Sequence, residues 1–430
     1  MSTKGYDDME KNRNWAGNFS YNALELHVPE TVEQVQELVA RSNRIKVLGT
    51  RHSFNGIADT GGSHFSLQKL DRVIALDRTH NRVTVEAGIR YGELCNYLHG
   101  NGYALHNLAS LPHISVGGAI ATATHGSGDL NGNLATAVHS LEIVKADGET
   151  ITLSRDQEDG AFAGVVVGLG AFGVVTKLTL DVVPAFHMSQ FIYENLPLTQ
   201  LEHHFDAIFS SAYSVSLFTD WKSASFNQVW VKNRLSDAAA AIQAESEFYG
   251  ATPAPSHLHP VPGVSPVNCS EQMGIAGPWY ERLPHFRMDF MPSAGEELQS
   301  EYFVPRRDAY SALCAINRLR DQISPLLHVS EIRTIAADDL WMSPCFKQEM
   351  VAIHFTWRDN WQAVQQLLPV IEEQLEPFHA RPHWGKLFTM APARVRSHYE
   401  KLPDFQKLLH RYDPEGKFGN DFVTQYIVGE

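Results

Sequence analysis

The chain has little of what usually classifies a protein at a glance. Its four cysteines, Cys95, Cys269, Cys314 and Cys345, lie far apart in 430 residues with no C-x-x-C pair. That excludes a disulfide framework and reads as reduced thiols. Basic charge is scarce: 35 Lys and Arg stand against 49 Asp and Glu, a formal net charge of −14. Nucleic acid and anionic membranes need a basic surface, so both are excluded as partners and a small neutral substrate is favoured. No run approaches the ~18 apolar residues of a membrane span, and Met1 to Asn14 has no apolar core to serve as a secretory signal. The expectation is a cytoplasmic protein. There is no H-E-x-x-H, and the close pairs His203-His204 and His257-x-His259 lack a third ligand at a telling distance, so no metal is expected.

What is present is a length too great for one ordinary core, which predicts two domains, built from short helices and strands in α+β order. Thr31-Val32-Glu33-Gln34 has the form of a capping box ahead of Val35, Leu38 and Val39 at helical spacing, which predicts a helix from Val32 to Ser42. A strand from Ile45 to Leu48 then runs into Gly49-Thr50-Arg51-His52-Ser53-Phe54-Asn55. Glycine removes the side chain and hydroxyls add donors, so backbone N–H groups there can converge on a phosphate or pyrophosphate. The G-x-G-x-x-G fingerprint is missing from this turn, and no G-x-x-x-x-G-K-[ST] occurs in the chain. A plain strand-to-loop corner reads the same way. Ser110 to Gly128 consists mostly of small residues, which lets a ligand lie against backbone, with Ser115, Thr122, Thr124 and Ser127 as donors. A tightly packed helix is the alternative there. Asp147-Gly148 between two strands predicts a hairpin with a primed turn. Gly168 to Val175 is a glycine-rich loop entering a strand that ends at Pro184, where the first domain is expected to close.

The second half carries most of the tryptophans and a stretch with five prolines between Pro253 and Pro266, read as a long surface loop. Two strands stand out. Glu331 and Arg333 lie two apart, as do His354 and Thr356, so each pair points to one face of its strand. Such a face is costly to bury unless its groups satisfy each other or a ligand. Because Ile332, Ile353, Phe355 and Trp357 alternate with them, the polar face is expected to line an enclosed cavity; a solvated ion pair is the plainer alternative. Gly385 permits a sharp turn that presents Lys386, and Tyr412 to Asn420 forms a turn near the C-terminus.

Gly49 to Asn55 resembles the segment by which flavoproteins of the vanillyl-alcohol oxidase type hold FAD, in many members through a covalent bond from the histidine. Leu108 to Ser115, Thr124 to Gly128, Glu331-Ile332-Arg333, His354-Phe355-Thr356, His383-Trp384-Gly385-Lys386 and Asp413 to Phe418 extend the resemblance over nearly the whole chain. They narrow it to the alditol oxidase branch, although sugar-lactone oxidases share the histidine segment, the His-Trp-Gly-Lys run and the C-terminal turn. The resemblance implies a two-domain α+β fold: an FAD-binding domain of two α+β lobes over residues 1–184, a substrate-binding cap with an antiparallel sheet over 185–381, and a C-terminal segment, 382–430, returning to the first domain. It implies FAD bound covalently through His52. Val47, Leu48, Gly49, Thr50, Arg51, Ser53, Ser110, Ser115, Gly118, Thr122, Ala123, Thr124, His125, Val175 and His383 are the implied cofactor contacts. Arg51 stands where many relatives carry glycine. Ser110, Glu331, Arg333, Thr356 and Lys386 are the implied polyol contacts, with Lys386, His354 and Arg333 catalytic. The implied reaction of this monomer oxidises the terminal hydroxyl of an alditol such as xylitol, sorbitol or glycerol to the aldose and reduces O2 to H2O2. A sugar-lactone oxidase or dehydrogenase on the same scaffold, and a non-catalytic ligand-binding protein, are the alternatives.

Overall fold

In the computed structural model, residues 12–157, 160–236, 244–288, 290 and 297–429 are described; the polar N-terminal stretch lies outside them up to residue 11. The helix Val32–Arg41 begins where Thr31 Oγ1 accepts the Gln34 N–H at 3.3 Å. Half of the capping box forms, because the Gln34 side chain accepts the N–H of Glu30 (2.8 Å) in place of that of Thr31. Val35, Leu38 and Val39 join Ile45 and Phe65 in one apolar cluster. That cluster supports a three-stranded parallel sheet ordered Glu25–His27, Ser63–Ser66, Ile45–Leu48.

A second lobe is a five-stranded antiparallel sheet ordered Val73–Asp77, Arg82–Glu86, Val174–Asp181, Val138–Val144, Thr150–Ser154. Its last hairpin forms at Asp147-Gly148, but not with the primed turn. Gly148 donates to the Lys145 carbonyl and Lys145 to the Glu149 carbonyl, both at 2.9 Å, and of the loop residues Gly148 alone is left-handed, at φ +83°. This is a three-residue loop with a glycine bulge, which spares Asp147 the positive φ that a type I′ turn would demand.

The chain then builds a nine-stranded sheet from His187–Pro197 to Arg381–Pro382. Ser214–Thr219, Leu327–Ile335, Met350–Arg358 and Glu297–Pro305 lie side by side in that order, all antiparallel. Register places Glu301 opposite His354 and His354 opposite Glu331, a row across three strands, with Gln299 opposite Thr356 beside it. On the other face Ile332, Ile353, Phe355 and Trp357 share an apolar cluster with Leu313 and Ile316 of the helix Ala309–Arg318 and with Val364 and Leu368 of the helix Trp361–Leu375. The proline-rich loop covers the far end of the polar face, where Leu258 and Val261 pack on Ile192, Phe218 and Trp230.

The end of the chain is fastened to both N-terminal lobes. Asp413 closes its turn by accepting the N–H groups of Lys417 (2.8 Å) and Phe418 (2.7 Å). Lys417 Nζ then donates to the carbonyls of Val39 (2.8 Å) and Ala146 (2.7 Å). Asn420 Nδ2 reaches the carbonyls of Gly56, Ile57 and Asp59 at 3.0, 3.1 and 2.8 Å.

Candidate active site

A cleft of about 750 Å³ runs between the two N-terminal lobes. One wall is the end of the parallel sheet and its turn, Val47 to His52. Opposite it stand Ser115 and Gly118 at the start of the helix Val116–Ala121, and Gly170, Gly173 and Val175 are also in the lining. The walls approach because glycines face each other: a Cβ at Gly49 would come to 2.7 Å of Ser115 Oγ and 3.4 Å of Gly118 Cα. Thr50 Oγ1 joins them by accepting the Ser115 N–H at 3.3 Å. A long, narrow, backbone-lined slot of this kind fits a dinucleotide whose pyrophosphate lies against main-chain N–H groups. Gly168, Gly170 and Gly173 have the spacing G-x-G-x-x-G in the glycine-rich loop before the strand. The run leads into a strand, so it lacks the helix N-terminus of the Rossmann unit. Arg51 adopts φ +62°, a conformation that favours glycine.

At one end of the cleft His52 Nδ1 lies 3.0 Å from Thr50 Oγ1 and its Nε2 2.6 Å from His113 Nε2, with Trp15 stacked on the ring at 5.1 Å. Burial, His113 and Lys386 hold the His52 imidazole down to about 3, so it is neutral at physiological pH. Trp15, Arg90 and His113 line this end; Trp15 and Arg90 come from segments with no motif of their own, and His113 lies in the Leu108 to Ser115 segment without being singled out there. Ser53, Ser110, Thr122, Ala123, Thr124, His125 and His383 are not among the lining residues. The Ser53 carbonyl accepts Asn14 Nδ2 (2.9 Å), and Thr122 Oγ1 donates to the Gly118 carbonyl (3.3 Å). His125 turns away to Glu301, 3.3 Å from its Nε2, and His383 stacks on Phe303 at 6.0 Å.

The polar face of the large sheet meets the cleft at His52. Phe54 N–H donates to the Gly385 carbonyl (2.8 Å), Asn55 Nδ2 to those of Trp384 and Lys386 (2.9 and 2.8 Å), and Lys386 Nζ sits 5.0 Å from the Phe54 ring centre. On this face Glu331, Arg333, His354, Thr356 and Glu301 are all buried. Arg333 Nη2 donates to Glu301 Oε1 at 2.5 Å, whereas its Nε is 3.6 Å from Glu331 Oε2. Glu331 in turn accepts His285 Nε2 at 2.8 Å. Burial alone would raise Glu331, but Arg333 and His285 hold its carboxyl well below the usual carboxylate range. Glu301 is held down in the same way, by Arg333 and His125 against burial. Lys386 Nζ and His354 Nε2 (3.3 Å) both contact Gln299 Oε1. Burial pushes His354 down to about 3, with Lys386 and Arg333 adding to it and Glu301 opposing, and it pushes Lys386 down to about 8. Glu301, Gln299 and His285 carry no sequence signal: each lies far along the chain from the strands it completes.

His125, Glu301 and His383 bring three potential ligand atoms within 4.8 Å of one another. Arg333 already neutralises that Glu301 carboxylate, and His383 Nδ1 accepts the Gly385 N–H at 3.0 Å. The group reads as a buried acid held by cationic and polar partners, without the unopposed negative charge that draws in a metal.

Residues 25–154 match the FAD binding domain family and residues 291–426 the D-arabinono-1,4-lactone oxidase family. Among solved structures the chain aligns with a solvent-stable cholesterol oxidase at TM-score 0.79 and 14% identity, over 96% of each chain. The cholesterol oxidase of B. sterolicum aligns at 0.76 and 13%, over 97% of this chain and 96% of that one. These likenesses show the fold, the vanillyl-alcohol oxidase type. With the FAD-binding match, the glycine-lined cleft defines an FAD-dependent flavoprotein. The chain is 46% identical to an alditol oxidase of Streptomyces sp., over 97% of this chain and 99% of that one. It is 26% identical to L-gulonolactone oxidase of Mus musculus over 96% of this chain and 97% of that one, and 25% identical to L-gulono-1,4-lactone dehydrogenase of Mycobacterium tuberculosis over 93% and 94%. The chain belongs to the alditol oxidase family.

Proposed function

We propose that the protein oxidises the terminal hydroxyl of an alditol, such as xylitol, sorbitol or glycerol, to the aldose, with O2 as acceptor and H2O2 as product. The observation that carries this reading is the charged face where it meets the His52 end of the cleft. A neutral chain of hydroxyls both donates and accepts, and Glu331 offers an acceptor while Arg333 and Lys386 offer donors. Ser110 and Thr356 serve the remaining hydroxyls. FAD, when bound, supplies the acceptor for the hydride leaving the carbinol carbon and passes the electrons on to O2. His354 takes the hydroxyl proton: with its Nε2 turned to Gln299 Oε1, the lone pair is on Nδ1. Arg333 and Lys386 stabilise the alkoxide as it forms.

Val47, Leu48, Gly49, Thr50, Arg51, Ser115, Gly118 and Val175 hold FAD in the cleft, and His52 bonds it covalently. A neutral imidazole has the lone pair such a bond requires, which supports the tether. Residues 1–184 serve the cofactor and 185–381 the substrate, with 382–430 returning as the clasp; the bonds from Lys417 and Asn420 support that division. The enzyme acts as a cytoplasmic monomer in this reading; its four unpaired cysteines fit a reducing compartment. None of the described helices is long and apolar enough to cross a membrane. The match of residues 291–426 to a lactone oxidase family favours an aldonolactone as the second reading. A peroxide assay with polyols, aldonolactones and simple alcohols decides between them: release with polyols supports the proposal, and release confined to lactones replaces it.

A further inference from the structure

Glu301 has no part in the mechanism above, yet it is 2% exposed in the middle of the polar face. Its Oε1 accepts Arg333 Nη2 at 2.5 Å and lies 3.3 Å from His125 Nε2, and its carbonyl accepts the His383 N–H at 3.0 Å. By register it stands opposite His354. Its neighbour two residues along the same face, Gln299, takes Lys386 Nζ. Arg333 is thus bonded to Glu301 more closely than to Glu331, the acid on its own strand, which is itself engaged by His285. Two cations on one small enclosed face repel each other unless an acid stands between them.

We infer that Glu301 is a positioning residue for the reaction: its carboxylate fixes the Arg333 guanidinium and supplies the negative charge that lets Arg333 and Lys386 stand together as cations over one substrate. The inference rests on the polyol-oxidase reading. The groups facing Lys386 are Glu297 and Glu301 on one strand, His354 on the next, Glu331 and Arg333 beyond it, and His52 and His383 on the flanking segments. Burial lowers Lys386, and of the acids facing it Glu301 opposes this most, ahead of Glu297 and Glu331. Glu301→Gln keeps the shape and removes the charge, so Lys386 then loses its proton at lower pH.

The test is the second-order rate constant of anaerobic flavin reduction by xylitol, followed against pH in the wild type, Glu301→Gln, Glu301→Asp and Glu331→Gln. Flavin spectrum and melting temperature are recorded for each as folding controls. In Glu301→Gln the alkaline limb moves down by about one pH unit, which is roughly tenfold in rate above the limb. Glu331→Gln moves it less, and Glu301→Asp restores most of it. On dithionite-reduced enzyme, which binds without reacting, xylitol affinity above the limb also falls in Glu301→Gln. An unmoved limb, or an equal shift in Glu331→Gln, overturns the inference. If Glu301→Gln does not fold, Glu301→Asn, which is also uncharged, is compared with the charged Glu301→Asp: a limb lower in Asn than in Asp supports the inference, and equal limbs overturn it. A wild-type flavin that no polyol reduces overturns instead the reading on which the inference rests.

Discussion

The cofactor cleft and the charged face meet at Phe54 and Lys386, but they are made of different material. The cleft is made largely of backbone, brought close by Gly49 and Gly118 and held open by Gly170 and Gly173. The face is made of side chains: Glu301, Glu331, Arg333 and His354, on three strands locked in register over an apolar core. A backbone site tolerates changes of side chain and fails when a Cβ is added. A buried side-chain network fails when any member is removed, because the partner left behind keeps its charge without compensation.

The largest effect therefore falls on the face. Arg333→Met leaves Glu301 and Glu331 buried without the cation they share, a cost of ~3–5 kcal/mol. Turnover should fall by more than about a thousandfold and the melting temperature should drop, while the protein stays yellow. Retention of the flavin with loss of turnover is what separates face from cleft, and both are read from one absorbance spectrum and one steady-state assay.

Lys386→Met comes next. Removing one charge-assisted contact of ~2–4 kcal/mol at the transition state predicts a fall of roughly thirty- to a thousandfold in the limiting rate of flavin reduction. Substrate affinity changes less. A limiting rate near that of the wild type would return Lys386 to a mere contact.

Gly49→Ala probes the cleft with the opposite signature. Its Cβ would sit 2.7 Å from Ser115 Oγ, so that hydroxyl must turn aside and the added methyl occupies the gap between the two walls. Purified protein should carry less flavin per chain, and the fraction that does carry it should oxidise polyol normally. Loss of activity with full flavin content would erase the distinction between the regions. His52→Ala is milder again: colour should wash out after acid precipitation, where the wild type stays yellow, and part of the activity should survive in the presence of added FAD.

The smallest effect is on stability. Lys386 titrates near 8 in the fold against about 10.5 unfolded. Between those values the unfolded chain binds more protons, so this group's contribution to stability rises with pH while the lysine loses the charge the reaction uses. Alkaline inactivation through this lysine should thus come with a contribution to the melting temperature that rises over the same pH range, and thermal melts of the wild type against Lys386→Met check it.

The same difference in material explains what was legible in the sequence. The backbone wall is contiguous, so Val47 to His52, Ser115 and Gly118 could be read from two short stretches. Strand periodicity put Glu331 with Arg333 and His354 with Thr356. Which acid holds Arg333 is a matter of sheet register, and Glu301 had no motif to mark it. The hairpin at Asp147-Gly148 was found but its loop was one residue longer than the primed turn, because Ala146 belongs to it. His125 sits in a small-residue stretch beside the cleft, yet its imidazole faces Glu301, since the polypeptide turns there at Ala123, φ +54°.

The central claim is that the charged face selects a neutral polyol for the flavin beside it. Mixing the enzyme anaerobically with saturating xylitol or with an aldono-1,4-lactone, and following the flavin absorbance, tests it directly. The account predicts rapid bleaching with xylitol and little with the lactone; bleaching by the lactone with xylitol inert would contradict it.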